Sequence, residues 1–339
     1  MRAWQIHDTS GPTGFTLDEV PVPEPPPGQV RIRLRTSALN HLDLWVSRGL
    51  PKPHHFPHAT GADGAGVVDA VGDGVTSVAV GDEVIVNPSI SCGACRVCLA
   101  GDVVFCRSYG ILGEHHPGTL AEQVVVPASN AIAKPAGLSW EVAGSYGLAA
   151  GTAHRMLRRA RLRAGETVLV VGVGGGVSSI ALLLAVASGA RVFATSRSPE
   201  KIAWAIERGA EAGFDSAGEF SKELRGTAGR QADVVIENVG PATWDQSVRS
   251  AAPGGRIVVC GSTSGTKVEL TVPLLFFKQL EIIGSTMFTH REFDEVSDLV
   301  ARGVLHPPID RVMAAADLPA ALTRLEAGQQ LGKLVVRWE

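Results

Sequence analysis

The sequence lacks the features that would place the protein in a membrane or on a nucleic acid. In its 339 residues no apolar run approaches the ~18 residues of a membrane span, and the N-terminal segment has no signal-peptide core. The 31 lysines and arginines are balanced by 34 aspartates and glutamates, and a net charge of −3 gives no general attraction to nucleic acids or anionic membranes. These absences predict a cytoplasmic protein that binds neither.

Cysteine is scarce and unevenly distributed. Four of the five cysteines form the pattern C-x2-C-x2-C-x7-C, and the fifth, Cys260, lies in an apolar strand pattern. An odd, clustered set in a chain of this length argues against a disulfide framework. An iron–sulfur cluster is the alternative to zinc, but the ferredoxin pattern has a shorter last gap and a trailing proline. Four thiolates at this spacing can close a tetrahedral shell, so we predict one structural Zn²⁺ at Cys92, Cys95, Cys98 and Cys106.

Long amphipathic helix patterns are absent before about residue 140. Alternating runs such as 30–34 indicate strands with one solvent-facing side. After about residue 148 the pattern changes, because the apolar run 168–171 is typical of a parallel strand buried on both faces. A helix at 179–188, a strand at 191–195, a helix near 200–208 and strands at 233–236, 256–260 and 280–283 follow.

Strands and helices that alternate at this spacing predict an α/β fold with a doubly wound parallel sheet. A helix at 293–302 and a closing strand at 334–337 come after it, and we expect that strand to return to the first domain. The predicted divisions are a β-rich domain at 1–148 with a metal lobe near 92–106, a nucleotide-binding domain at 149–288, and a return segment at 289–339.

A glycine cluster lies between the buried strand and the next helix. Glycines at this turn let the backbone approach a pyrophosphate, and the helix N-terminus supplies N–H donors. The match to G-x-G-x-x-G is imperfect, because valine stands at the last glycine position. An ordinary tight turn is the alternative, but the flanking strand and helix favour a dinucleotide site at Gly172, Gly174, Gly175, Gly176 and Val177.

A carboxylate is missing at the end of the second strand of this domain. A site that prefers NAD places Asp or Glu there to bind the ribose hydroxyls. This chain instead has Ser196 and Arg197, with Lys201 one turn into the next helix. Cations and hydroxyls suit a 2′-phosphate, which predicts NADP(H), although the two cations also fit a solvated helix start.

Together these motifs resemble those of the medium-chain dehydrogenase/reductase superfamily, which contains zinc alcohol dehydrogenases and quinone oxidoreductases. The resemblance rests on the runs GADGAGVV at 61–68, GDEV at 81–84, GTLAE at 118–122, GTA at 151–153 and GK at 332–333, with the cysteine and glycine clusters. It implies a GroES-like catalytic domain, a nested Rossmann domain and an active site in the cleft between them. It also implies a homodimer, or a tetramer, formed through an edge strand near 281–287.

The catalytic zinc ligands of alcohol dehydrogenases are absent. At the positions of the family's Cys, His and Cys the chain has Asn40, Ala62 and Leu148, and Leu42 replaces the hydroxyl that begins the proton relay. Asp63 replaces the family's Glu, and one carboxylate does not hold the metal. We therefore expect no catalytic zinc.

The resemblance then implies a metal-free reaction. The run from Asn40 to Asp43 resembles the Asn-x-x-Asp stretch of quinone oxidoreductases. Without a Lewis acid an alkoxide is poorly stabilised, whereas hydride addition to a conjugated C=C bond spreads charge onto an enolate oxygen that hydrogen bonds can stabilise. This implies an NADPH-dependent reductase of an activated alkene or a quinone, acting on a small molecule. The alternatives are an alcohol dehydrogenase with a metal site rebuilt from Asp63 and a loop histidine, and a non-catalytic nucleotide-binding protein.

Residue roles follow from the resemblance. Asn40 is expected to hydrogen-bond the substrate carbonyl or the nicotinamide ribose, Asp43 to orient its neighbours or cap a helix, and Trp45 to line the pocket or the core. The residues alone leave the roles of the loop histidines open: His54, His55 and His58 bind metal adventitiously, donate a proton or are solvated, and His115 and His116 donate a proton or are solvated. The cofactor set carried over is His41 on the pyrophosphate, Lys333 on a phosphate, Phe288 beside the nicotinamide, and Thr152, Asn238, Gly240 and Gly261.

Overall fold

The computed structural model describes residues 1–338. The chain forms two compact units. One contains Met1–Ala149, Thr289–Arg302 and the chain from Ile309 onward, and the other contains Ala150–Phe288 and Gly303–Pro308. Across residues 1–338 no helix is long and apolar enough to cross a membrane.

The first unit is rich in strands, as predicted. Its strands are β1 (Arg2–Ile6), β2 (Phe15–Glu19), β3 (Gln29–Ala38), β4 (His58–Ala59), β5 (Asp63–Val71), β6 (Glu83–Val86), β7 (Ser89–Ile90), β8 (Gly110–Ile111), β9 (Gln123–Pro127), β10 (Ala131–Ala133), β17 (Ile309–Ala314) and β18 (Lys333–Arg337). The main sheet has the order β10-β6-β5-β3-β18-β17, with β9 also paired to β3. The predicted alternation at 30–34 holds, because Val30, Ile32 and Leu34 are buried in the core.

The helices that lie wholly within this unit are short, except for the helix His290–Ala301. A helix that begins at Gly147 continues into the second unit. The helices are α1 (His41–Ser47), α2 (Arg96–Leu99), α3 (Trp140–Ala143), α4 (Gly147–Arg159), α10 (His290–Ala301) and α11 (Leu318–Glu326).

The second unit is a doubly wound parallel sheet with helices between its strands. The elements are β11 (Thr167–Val170), α5 (Gly176–Ala187), β12 (Arg191–Ser196), α6 (Pro199–Glu207), β13 (Ala210–Asp215), α7 (Phe220–Ala228), β14 (Ala232–Glu237), α8 (Trp244–Ser250), β15 (Ala251–Val259), α9 (Val272–Phe277) and β16 (Glu281–Gly284). The strand order, β13-β12-β11-β14-β15-β16, is that of a Rossmann fold. All of its strand pairs are parallel. The apolar strand predicted at 168–171 corresponds to β11 and is fully buried.

Two helices begin earlier than the sequence prediction. Helix α5 begins at Gly176 rather than 179, because Gly176, the last glycine of the cluster, already belongs to its first turn after the N-cap Gly175. Helix α10 begins at His290 rather than 293. A capping box explains this start, since Glu292 N donates to Thr289 Oγ1 and Thr289 N donates to Glu292 Oε2.

Candidate active site and metal centre

Three polar residues meet at one end of three neighbouring strands in the first unit. Asp63 is the first residue of β5 and Lys333 is the first residue of β18, and β3 lies between these strands. The register pairs Ala38, the last residue of β3, with both Asp63 and Val335. Asn40 follows β3 and is the N-cap of α1. Sheet pairing therefore collects Asn40, Asp63 and Lys333 although they are distant in sequence.

These three side chains form a closed hydrogen-bonded ring. Lys333 Nζ donates to Asp63 Oδ2 at 2.8 Å and to Asn40 Oδ1 at 2.5 Å, and Asn40 Nδ2 donates to Asp63 Oδ2 at 2.9 Å. Their exposures are 8% for Asn40, 1% for Asp63 and 2% for Lys333. An ion pair this deeply buried needs each remaining polar atom to be satisfied. The second oxygen of Asp63 meets this need, because it accepts Leu148 N at 2.6 Å.

Asp43 is a second buried carboxylate beside this ring. Its Oδ2 accepts Asn40 N and its Oδ1 accepts Gly61 N, both at 2.8 Å. Burial raises the pKa of Asp43 to about 6, against the opposing effect of these hydrogen bonds and of the Lys333 charge. The structure thus brings Asp43 and Asn40 together, and Asp43 fixes the backbone from which Asn40 projects.

The positions expected for zinc ligands carry no second metal-binding set. Ala62 is buried and has no metal-binding side chain. Leu148 donates its backbone N–H to Asp63, and its side chain cannot bind a metal. Within residues 1–338, the four-cysteine cluster is the one group of three or more His, Cys, Asp or Glu side chains placed to hold a metal ion. A site rebuilt from Asp63 and a loop histidine therefore has no ligand set in the described chain.

The aromatic and imidazole candidates lie in several places. The half-buried His41 and Trp45 contact each other on α1, with ring centroids 6.3 Å apart. His58 is buried, and one of its ring nitrogens lies 3.1 Å from Gly113 O. Burial lowers the pKa of His58, and of His115 and His116, with a further contribution from neighbouring imidazoles. Neutral rings are thus favoured here, and a proton-donor role for these histidines stays a prediction.

The glycine cluster forms the turn from β11 to α5. Gly172 has φ +72° and Gly174 has φ +117°, values that L side chains rarely adopt. Backbone N–H groups of Gly172 and Val173 donate to Thr195 at the end of β12, which fixes the turn. A Cβ on Gly174 would lie 2.3 Å from Lys201 Cδ and 3.1 Å from Lys201 Nζ. The Lys201 side chain therefore lies directly over the glycine turn.

Several other predicted cofactor residues are in the same unit. Asn238 Nδ2 donates to Ser178 Oγ at 2.8 Å, next to the glycine turn. The Thr152 hydroxyl is buried and has no hydrogen-bond partner within residues 1–338, which suits a residue that meets a bound ligand. Ser196 Oγ accepts Ser198 N, and Arg197 is exposed. The remaining positions are the half-buried Gly261, Gly240 with φ +88°, and Phe288, whose ring packs against Gly151.

The four predicted metal ligands converge. The sulfur atoms of Cys92, Cys95, Cys98 and Cys106 lie within 4.8 Å of one another, and three of their separations are 3.5, 3.5 and 3.9 Å. A tetrahedron with Zn–S bonds of ~2.3 Å has edges of about 3.8 Å. Backbone N–H groups of Ala94 and Cys95 lower the pKa of Cys92 to about 6, which favours the thiolate. The donor set fits zinc.

The sequence prediction assigns Lys333 to a cofactor phosphate, whereas the structure pairs its ammonium with Asp63 and Asn40. A phosphate role for Lys333 stays a prediction. No local sequence pattern predicts the ring, because Lys333 is separated from Asp63 by 270 positions and from Asn40 by 293 positions. The available signal was a charged residue at the start of each of two strands, Asp63 before GAGVV and Lys333 before LVV.

Comparison with known families identifies the chain. Residues 26–136 match the alcohol dehydrogenase GroES-like domain and residues 176–302 match the zinc-binding dehydrogenase domain. The chain belongs to the medium-chain dehydrogenase/reductase superfamily, as its motifs predict. It is an oxidoreductase with a GroES-like domain and a Rossmann domain.

Individual relatives cover almost the whole chain. The acryloyl-coenzyme A reductase of Metallosphaera sedula is 32% identical over 95% of this chain and 96% of its own length. A crystal structure of an NAD-dependent alcohol dehydrogenase is 40% identical, with a TM-score of 0.95 and complete coverage of both chains. The structure of the 2-octenoyl-CoA carboxylase reductase CinF with NADP and 2-octenoyl-CoA is 28% identical, with a TM-score of 0.92 over 99% of this chain and 87% of that one.

Proposed function

We propose that the protein is an NADPH-dependent reductase of a C=C bond conjugated to a thioester carbonyl, and that it acts without a catalytic metal. One observation carries the proposal. By the resemblance of its motifs to those of the family, the chain has Asn40, Ala62 and Leu148 in place of zinc ligands, and Asn40 is held in a buried hydrogen-bonded ring. Relatives named as acryloyl- and crotonyl-CoA reductases support the substrate class.

NADP(H) is the cofactor in this proposal. The glycine turn would accommodate the pyrophosphate, since its glycines carry no side chains and helix α5 begins there. Arg197 and Lys201 would bind the 2′-phosphate. The buried hydroxyl of Thr152 would donate a hydrogen bond to the cofactor. The NADP-bound CinF structure supports this choice. When bound, NADPH supplies a hydride from its nicotinamide ring.

The chain's own residues would bind and polarise the substrate. One N–H of Asn40 Nδ2 is donated to Asp63, and the second, which has no acceptor within residues 1–338, would donate to the thioester oxygen. Such a donor stabilises the negative charge that develops on this oxygen during hydride addition. Asp43 holds the Asn40 backbone, Trp45 and His41 flank the site on α1, and water supplies the proton.

The four-cysteine cluster is the structural zinc site in this proposal. All four positions of a tetrahedral ion would be filled by sulfur, so this metal holds its loop together and does not meet substrate. Reduced thiolate ligands suit the cytoplasm, where we place the protein.

A second copy of the chain is the proposed partner. Strand β16 is an edge of the Rossmann sheet and carries the partly exposed Ile282. Phe276 and Phe277 on the preceding helix are 56% and 80% exposed. Exposed apolar residues beside an unpaired strand edge favour pairing with another copy. Sedimentation at several concentrations tests whether the protein is a homodimer.

Turnover assays test the proposed reaction. We expect oxidation of NADPH with crotonyl-CoA or acryloyl-CoA, slower oxidation of NADH, and about one zinc per purified chain. A naphthoquinone assayed in parallel separates enoyl from quinone reduction. NADPH binding without turnover of any of these substrates would contradict the proposal and favour a non-catalytic nucleotide-binding protein.

An alcohol dehydrogenase is the second candidate, because an NAD-dependent alcohol dehydrogenase structure is 40% identical to this chain. That activity predicts NAD⁺ reduction with simple alcohols and a second zinc per chain. Elemental analysis and assays with ethanol, benzyl alcohol and the matching aldehydes therefore discriminate the two candidates.

A further inference from the structure

The amide of Asn40 is fixed at both of its polar atoms. Lys333 Nζ lies 2.5 Å from Asn40 Oδ1, and Asp63 Oδ2 lies 2.9 Å from Asn40 Nδ2. A cation beside the oxygen and an anion beside the nitrogen specify one amide orientation, because a flipped amide would place its N–H groups against the ammonium. The direction of the remaining N–H of Asn40 is thereby set before any ligand arrives.

The Lys333 contact also strengthens that N–H as a donor, whereas the Asp63 contact serves to fix its direction. A charged hydrogen bond to the amide oxygen withdraws electron density from the nitrogen, and hydrogen bonds in a chain polarise one another. The ring is buried, so water screens this effect only weakly. Lys333 thereby increases the partial positive charge on the remaining N–H of Asn40, while its ammonium stays bound to Asp63.

We propose that Lys333 and Asp63 are positioning residues that orient and polarise Asn40 as the donor to the enolate oxygen. This rests on the proposed enoyl reduction. In that reaction the β-carbon takes the hydride with its electron pair, the C=C π pair forms a new π bond between the α-carbon and the carbonyl carbon, and the C=O π pair moves onto the carbonyl oxygen of the thioester. The oxygen accepts the Asn40 hydrogen bond, and the α-carbon then takes a proton from water as the carbonyl re-forms.

The proposal separates the role of Lys333 from direct binding of a cofactor phosphate. A phosphate ligand acts on cofactor affinity, so its loss raises the Kd and KM for NADPH. A positioning residue acts in the transition state, so its loss lowers kcat and leaves the Kd for NADPH unchanged.

The first variants are Lys333→Met and the double variant Lys333→Met/Asp63→Asn. The single change leaves Asp63 buried without its partner and risks misfolding, whereas the double change removes both charges. Lys134→Met is the control, since this lysine of the same unit also has a buried side chain, 6% exposed, and pairs with Glu83. With crotonyl-CoA we expect the folded double variant to lose kcat at least tenfold, with the Kd for NADPH within twofold of wild type. The control keeps both values.

A second comparison asks whether Lys333 acts through Asn40. Lys333→Met is placed in an Asn40→Ala background, where we expect no further loss of kcat because the group to be oriented is gone. Lys333→Arg keeps the charge and should retain more kcat than Lys333→Met. A folded double variant with wild-type kcat, a raised Kd for NADPH at unchanged kcat, or additive losses with Asn40→Ala would each overturn the proposal.

Wild-type turnover keeps the two proposals distinguishable. If the wild-type protein reduces no enoyl-CoA, the proposed function fails and the positioning role fails with it. If the wild type is active and the variants behave as the control does, only the positioning role fails.

Discussion

The side chain of Lys201 lies over Gly174, so that a single methyl group on this glycine would overlap the lysine stem at 2.3 Å. The ammonium is thus next to the backbone expected to approach the cofactor phosphates. The glycine and the cation are neighbours in space, although Gly174 lies in the turn between β11 and α5 and Lys201 lies in the first turn of α6.

Lys201→Ala and Arg197→Ala should each weaken NADPH much more than NADH. A charge-assisted hydrogen bond to phosphate contributes about 1.5–3 kcal/mol, so we expect the Kd for NADPH to rise roughly 10-fold or more and that for NADH less than about threefold. Fluorescence titration of both cofactors measures this. Lys222→Ala, at a lysine 84% exposed on α7, is the control. Equal weakening of the two cofactors would contradict the NADP(H) assignment.

Gly151→Ala should destabilise the protein. A Cβ at this position would lie 2.2 Å from the buried Phe288 ring, and overpacking of this kind costs about 1–3 kcal/mol. Gly226→Ala is the matched control, because Gly226 also lies within a helix but a Cβ there would meet no atom within 4 Å. Urea unfolding should show the control stabilised by about 0.5–1 kcal/mol. Similar shifts for both variants would refute the close packing of Phe288 on Gly151.

Cys106→Ser should remove the structural zinc. One lost thiolate opens the tetrahedral shell, so zinc content should fall from about one per chain towards zero and the Tm by roughly 5 °C or more. Cys260→Ser is the control. Cys260 is not part of the four-cysteine cluster, and burial raises its pKa to about 12, so its thiol stays protonated. Elemental analysis with thermal unfolding measures both, and full zinc content in Cys106→Ser would exclude this ligand set.

Asp43 should make stability depend on pH in a defined window. Its folded pKa is raised from 3.8 to about 6, so the folded state binds the proton more tightly than the unfolded state. The resulting stabilisation is complete below pH 3.8 and is lost as the pH rises to about 6. The loss corresponds to a decrease in the free energy of unfolding on the order of 3 kcal/mol.

Asp43→Asn should abolish that pH dependence, since an amide does not titrate. The difference in unfolding free energy between wild type and variant should therefore shrink from pH 4 to pH 7, because other carboxylates cancel in the comparison. Denaturant unfolding at four or five pH values measures it. A difference that is constant across this range would show that Asp43 titrates normally.

Much of the fold could be predicted from sequence because short stretches of the chain determine its elements. The apolar run on β11, the glycine turn after it and the cysteine spacing each require neighbours within a few residues. Helix starts were less accurate, and the missed start of α10 was marked by the Thr289–Glu292 capping box. The contact of Lys333 with Asp63 could not be foreseen, because it depends on the order of β5, β3 and β18 in the sheet.

The pairing of β18 with β3 has a consequence for how the molecule is made on the ribosome. Most of the Rossmann unit is one continuous stretch, Ala150–Phe288, so its sheet can form while the chain is still growing. Strand β3 is synthesised early, but its pairing with β18 cannot form until β18 is synthesised. The contact of Lys333 with Asn40 then closes a loop of 293 residues. Such a long closure delays assembly. A nascent chain therefore completes its Rossmann sheet well before the hydrogen-bonded ring of Asn40, Asp63 and Lys333 can form in the other unit.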